Sequence, residues 1–200
     1  MIFIVTNIDW LYNQSMGRKS LRNERRAQIT AAFARVLAQH GYAGATMIAV
    51  AEEAGLSPGL LHHHFKDKRE MLIELLQTLL IDFRRNMVER TPGKGASIEA
   101  YIDTALKLDE KANAIAAKCW VSILAEGLRE KGLLDKIKSH LDAEIQVIET
   151  LSQGSLNTEK SSALLAFILG SLVFGAFAPK RASGFAAPMG KHFAQSMRRT

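Results

Sequence analysis

The sequence predicts an all-α chain of about nine helices, in which a three-helix unit containing a helix-turn-helix is followed by a larger helical domain. Three observations carry this. Apolar residues recur at helical spacing through most of the 200 residues, and the second half has no strand pattern of period two. Thr46 to Lys68, TMIAVAEEAGLSPGLLHHHFKDK, reads as two short helices on either side of a sharp turn. Between the two parts, Thr91-Pro92-Gly93-Lys94-Gly95 interrupts the periodicity with a Pro and two Gly. The expected division is an N-terminal extension at 1–17, poorly ordered, a helix-turn-helix domain at 18–66 and a C-terminal helical domain at 67–200.

The first helix is expected from Leu21 to His40, with Ile29, Ala32, Phe33, Val36 and Leu37 on one face and an end at Gly41. Thr46 caps a second helix over Met47 to Ala54, which stops at Gly55 because a Gly just past a helix end adopts the left-handed conformation without a Cβ penalty. Ser57 supplies the next N-cap oxygen and Pro58 falls at the first helical position, where its missing N–H is not needed. Asp67 and Glu70 form a capping pair for a fourth helix, which runs with Lys68 in its first turn to about Arg90. Ser97 caps a fifth helix through Lys107. A sixth carries Ile115, Cys119, Trp120, Ile123 and Leu124 and stops between Gly127 and Gly132; a seventh presents Leu134, Ile137, Leu141, Ile145 and Ile148 and ends by Gly154. Ala163 to Phe177 is apolar almost all round and, at about 15 residues, is shorter than a bilayer span. Such a helix must be covered on every side, so a second subunit is expected on its outer face. Gly170, Ser171 and Gly175 allow close approach, beside Phe167 and Phe174. A last helix, around Ala187 to Arg199, repeats Met189, Phe193 and Met197 and completes a four-helix bundle across a twofold axis.

Composition narrows the function. The formal net charge is +6 and the pI near 9.5, which favours an anionic partner. From Gly17 to Glu70 there are nine Lys and Arg against five Asp and Glu, so much of the excess lies with the helix-turn-helix and points to double-stranded DNA. The single Cys119 leaves no disulfide framework and no CxxC motif, as suits a reducing cytoplasm, and reads as a small buried hydrophobe. No GxGxxG, P-loop, HExxH or nucleophile elbow is present, which argues against an enzyme, and no cofactor is expected. The N-terminus lacks the basic start of a secretion signal and carries Asp9; Met16 is an alternative start. Three consecutive histidines do not make a metal site, because adjacent residues on a helix point about 100° apart.

Thr46, Ala54-Gly55-Leu56-Ser57, Gly59, His62-His63-His64-Phe65 and Lys68 together resemble the tetracycline-repressor (TetR) family of dimeric transcriptional regulators. Within it, the wording Ser-Pro-Gly-Leu-Leu-His-His-His-Phe is most similar to the branch containing the betaine-synthesis repressor. His62 stands where many members have Tyr, so a tyrosine contact to phosphate does not carry over. The resemblance implies a homodimer on a pseudo-palindromic operator, released by a small effector bound in the C-terminal domain. Residues expected at the DNA are Arg22, Arg25, Thr46, His62 and Lys68 for phosphates, and Pro58, Gly59, Leu60, His62 and His63, presented behind the Ser57 cap, for bases. His64 should lean toward the core. His62 and His63 gain charge near phosphate, so binding should tighten as the pH falls from about 8 to about 6. The effector pocket implied by the resemblance is lined around Tyr101, Leu108, Trp120, Ile123 and Phe167, and the betaine branch suggests a choline-like quaternary ammonium held on the Trp120 face.

Overall fold

The structure, a computed structural model, describes residues 21–89, 97–106 and 111–198. Among these residues there are nine helices and no strand: α1 (Leu21–Gly44), α2 (Met47–Ala54), α3 (Pro58–His64), α4 (Lys68–Glu89), α5 (Ile98–Leu106), α6 (Lys111–Gly127), α7 (Lys131–Leu151), α8 (Thr158–Phe177) and α9 (Pro179–Arg198). The expected extension at 1–17, the break at Thr91 to Gly95 and the end of the fifth helix at Lys107 lie outside the described residues.

Three boundaries differ from expectation, each for a local reason. The first helix does not stop at His40. Gly41 takes φ 68° and ψ 177°, kinks the helix, and lets one more turn run to Gly44. The last helix begins at Pro179 rather than near Ala187. A Pro at the first helical position sacrifices no bond, and Pro188, further along, is exposed, so the carbonyl it leaves without a donor can face water. The apolar run Ala163–Phe177 is likewise only the later part of a 20-residue helix that opens at an Asn157 cap, whose Oδ1 accepts from Lys160 N at 3.0 Å. By length and composition alone α8 is long and apolar enough to cross a membrane. Within the chain, however, it packs against α6, α7 and α9, with the Ser161 hydroxyl wholly buried.

Two apolar clusters organise the molecule. One is built from α1 to α4, around Phe33, Leu61, Phe65 and Leu76, and takes in Cys119 and Ile123 of α6 and Leu133 and Ile137 of α7. The other joins α5, the later part of α7, α8 and α9 around Tyr101, Ile148, Leu164 and Ile168. Packing therefore does not divide at residue 66: the helix-turn-helix shares its core with the first half of the C-terminal domain, and α1 lies directly on α6. Burial of these side chains, at about 25 cal/mol per Å² of apolar surface, is what fixes the helices against one another.

Candidate nucleic-acid interface

The turn between α2 and α3 is built from local chemistry. Gly55 adopts φ 65° and ψ 35°, and its N–H and that of Leu56 close onto the carbonyls of Glu52 and Ala51 at 3.0 and 2.9 Å. This satisfies carbonyls that a helix end otherwise leaves open. The Ser57 hydroxyl then accepts from Leu60 N at 3.3 Å and Pro58 starts α3, while the Thr46 hydroxyl accepts from Ala49 N at 3.1 Å at the start of α2. Both caps are exposed.

The seven-residue α3 divides cleanly into two faces. Leu61 and His64 are buried, while Pro58, Gly59, Leu60, His62 and His63 are exposed, so the residues expected to face bases stand together on one side. Added at Gly59, a Cβ would meet nothing within 4 Å, and the backbone there is ordinary helix. Arg22 and Arg25 are exposed on α1, with Arg25 Nη1 donating to Gln28 Oε1 at 2.6 Å.

Lys68 has an internal engagement as well. Its Nζ donates to the Tyr42 carbonyl at 2.9 Å and lies 4.3 Å from the centre of the Tyr42 ring, tying the start of α4 to the last turn of α1. A cation in the first turn of a helix, unfavourable against the helix dipole, is thus compensated within the chain.

Sequence reasoning missed the side chain that holds the unit together. Arg26, in the basic run of α1, donates to the His64 carbonyl, to Glu70 Oε1 at 2.9 Å and to Glu74 Oε2 at 2.8 Å, and its guanidinium sits 3.9 Å from the Phe65 ring centre. One planar fork thereby joins α1, the end of α3 and the first two turns of α4. The one sequence signal was the Glu70/Glu74 pair at i, i+4. Gln28 adds a second tie, Nε2 to the Ala54 carbonyl at 2.8 Å. Glu70 also accepts from Lys66 N at 2.8 Å, and that bond, followed by Arg26, holds its carboxyl below the ordinary value. His64 is 9% exposed and its Nδ1 has no hydrogen-bond partner among the described residues. Desolvation first, then His63, Arg22, Arg26 and Arg25, lowers its pKa from the ordinary value.

In the C-terminal domain the four described residues of the five expected to line one pocket are divided between the two cores. Trp120 and Ile123 pack on the first cluster, and Tyr101 and Phe167 belong to the second; Leu108 lies outside the described residues. The Tyr101 ring is 3% exposed and crosses that of Phe83 edge-on at 5.1 Å. Its hydroxyl donates to Glu144 Oε2 at 2.8 Å, and burial followed by the Glu144 charge raises the phenol well above its ordinary pKa. The other Glu144 oxygen accepts from Arg84 of α4. A surface depression of about 500 Å³ lies elsewhere, along α7 at Asp135, Lys138, Ser139, Asp142, Ala143 and Gln146.

The outer face expected to meet a second subunit is in part differently composed. Ser171 and Gly175 are buried within the chain, and Phe167 and Phe193 face each other, ring centres 5.8 Å apart, in the second cluster, where Met197 also packs. Their helical phase turns them inward. The exposed stripe comprises three of the residues expected on that face, Gly170, Phe174 (42%) and Met189 (49%), together with Val173, Phe177 (79%) and Phe185, which were not among them. Cys119 is buried, donates to the Ala34 carbonyl at 3.4 Å, and has its thiol pushed up to about 12 by desolvation.

A short helix with one buried and one open face, set by a left-handed turn and flanked by exposed arginines, defines a helix-turn-helix protein of the DNA-binding class. The sequence model of a family described as "Bacterial regulatory proteins, tetR family" matches residues 29–75, which include the whole of α2 and α3. The chain is 32% identical over 119 residues to the HTH-type transcriptional regulator BetI of Agrobacterium fabrum, a match covering 58% of this chain and 56% of that protein. To the HTH-type transcriptional repressor KstR2 of Mycobacterium tuberculosis it is 31% identical over 137 residues, covering 54% of this chain and 68% of that one. The crystal structure of a transcriptional regulator from Rhodococcus sp. RHA1 superposes with a TM-score of 0.77 at 20% identity, covering 87% and 96% of the two chains, and so shares the fold. The chain belongs to the TetR family, whose named relatives here are regulators and not enzymes. It spans little more than half the length of the first of these relatives.

Proposed function

We propose that the chain is a sequence-specific repressor that binds a pseudo-palindromic operator as a homodimer and leaves it when a small molecule binds the C-terminal helices. The observation that carries this is the open face of α3. Pro58, Gly59, Leu60, His62 and His63 are exposed, and among the described residues nothing lies within 4 Å of a Cβ placed at Gly59. A backbone left bare in this way lets a groove wall approach closely. In this reading His62, Thr46, Arg22, Arg25 and Lys68 hold phosphates, and two copies of α3 enter successive major grooves about 34–36 Å apart. The apolar stripe Gly170, Val173, Phe174, Phe177, Phe185 and Met189 meets its twin across the twofold axis. Such a protein works where the DNA is, in the cytoplasm.

The test is fluorescence anisotropy of the protein on DNA from upstream of its own gene, with and without excess random DNA at fixed salt. Specific binding at two subunits per site supports the reading; equal displacement by any DNA, there and on fragments selected genome-wide, ends it. Choline is the first effector to titrate, since a relative is a BetI regulator. A second reading, a regulator of this fold with no small-molecule effector, is favoured by the separation of Trp120 and Ile123 from Tyr101 and Phe167. Operator binding that no metabolite screen weakens would select it.

A further inference from the structure

Beside the shared apolar core, a charged joint fastens the DNA-facing unit to the C-terminal helices. Arg69, in the first turn of α4 and five residues past His64, lays its guanidinium side-on against Glu130, with Nε to Oε2 at 2.8 Å and Nη2 to Oε1 at 2.7 Å. Glu130 is the N-cap of α7 and also accepts from Gly132 N at 3.1 Å. Gly132 makes the arrangement possible: a Cβ there would come to 3.0 Å of both Arg69 Nη2 and Glu130 Oε1. The mutual attraction raises the pKa of Arg69, through its bond to Glu130 first, and lowers that of Glu130, through its bond to Arg69 first.

Such a joint has little to do with stability. The side chains are 53% and 37% exposed, and solvent-exposed pairs contribute little to folding. Geometry is what it supplies. Apolar packing between α4 and α6 is non-directional and tolerates rocking, whereas two parallel N–H···O bonds fix the relative orientation of the groups that make them. The pair lies at the start of α4, directly after α3, while a second pair, Arg84 with the buried Glu144, holds the same helix to the same α7 further along. Spaced 15 residues apart along α4, and 14 from the α7 cap into that helix, the two pairs link the two helices at two separate points.

We propose that Arg69 and Glu130 form a positioning joint that fixes the angle of the recognition helix against the C-terminal domain, so that Glu130, the residue that caps α7, governs operator affinity without being assigned any contact with DNA. The proposal deepens the repressor reading and rests on it for its second readout. Glu130→Gln is the informative change, because the amide keeps an acceptor for the α7 cap and removes the charge that holds Arg69.

The experiment places spin labels at exposed Lys66 and Gln146, with labelled protein diluted into unlabelled protein so that only intramolecular distances are read. Buried Cys119 remains unlabelled, its thiol pushed up to about 12. In Glu130→Gln the distance distribution should broaden, and operator affinity should fall about five- to tenfold, the size of a weak site-to-site coupling. An Arg69→Glu, Glu130→Arg exchange should narrow the distribution again, and high salt should broaden the wild-type distribution through screening. Unchanged distances in Glu130→Gln, or broadened distances with wild-type operator affinity, would overturn the joint. If the wild-type protein binds no operator, the repressor reading fails, and the label distances alone decide whether the angle is fixed here.

Discussion

Gly59 is a residue whose identity the chain itself does not require. Its backbone is ordinary helix and a Cβ there has open space, so Gly59→Ala should leave folding stability unchanged or raise it by up to about 1 kcal/mol of helix propensity, read as an equal or higher melting temperature. In the proposed DNA-bound arrangement the added methyl would meet the groove wall, and operator affinity should drop about tenfold. Equal affinity for the two proteins would place the DNA elsewhere. His64 behaves in the opposite way, facing inward with no partner for Nδ1. Its pKa is lowered by desolvation, so below the ordinary histidine value the unfolded chain binds the proton more readily than the folded one. The stability it permits is complete above about pH 6.5 and is lost as the pH falls through the lower folded value. His140, also lowered by burial, adds to the same slope. Melting followed from pH 7.5 to 5 should show wild type losing more than His64→Phe does; parallel curves would exonerate this ring.

At the scale of elements, α3 depends on α1 and α4 rather than on its own seven residues, since a helix this short is unstable alone. Arg26 is the side chain through which that support passes, 18% exposed and joined to the His64 carbonyl, Glu70 and Glu74. Arg26→Ala should cost about 2 kcal/mol, because it strands two carboxylates and a carbonyl. Hydrogen exchange should then show α3 opening before the second core; a uniform loss of protection would contradict this. The sequence disclosed the caps of this unit, Thr46, Gly55, Ser57 and Pro58, because each acts on neighbours within a turn. It also disclosed the sides of α3, since His64 follows Leu61 by three residues on the inward face. Arg26, Arg69 and Glu130 were illegible because their partners lie 38 to 61 residues away, and only the folded chain brings them together. The placing of the pocket candidates was hidden for a related reason: periodicity tells that Tyr101 and Trp120 each lie on an inward side, but not that they enter different cores.

For the whole molecule, the exposed apolar stripe on α8 and α9 is where the proposed dimer is tested. Phe174 and Phe185 cross edge-on at 5.7 Å, and Phe177 stands 79% exposed beside them. Contiguous apolar surface of this kind marks an interface. Phe177→Glu should therefore yield monomers by sedimentation and reduce operator affinity at least a hundredfold, through lost bivalency, while the helical content stays constant. A dimeric Phe177→Glu protein with full affinity would move the interface to another face.

The first core has a further consequence, for exchange of parts between relatives. Its members Cys119, Ile123, Leu133 and Ile137 come from far along the chain yet cover α1 and α4. A chimera that swaps only the first 66 residues for those of a cousin would set a foreign α1 surface on this α6. Specificity can be grafted intact only when α3 alone is exchanged, or when α6 and the opening of α7 travel with the reading head.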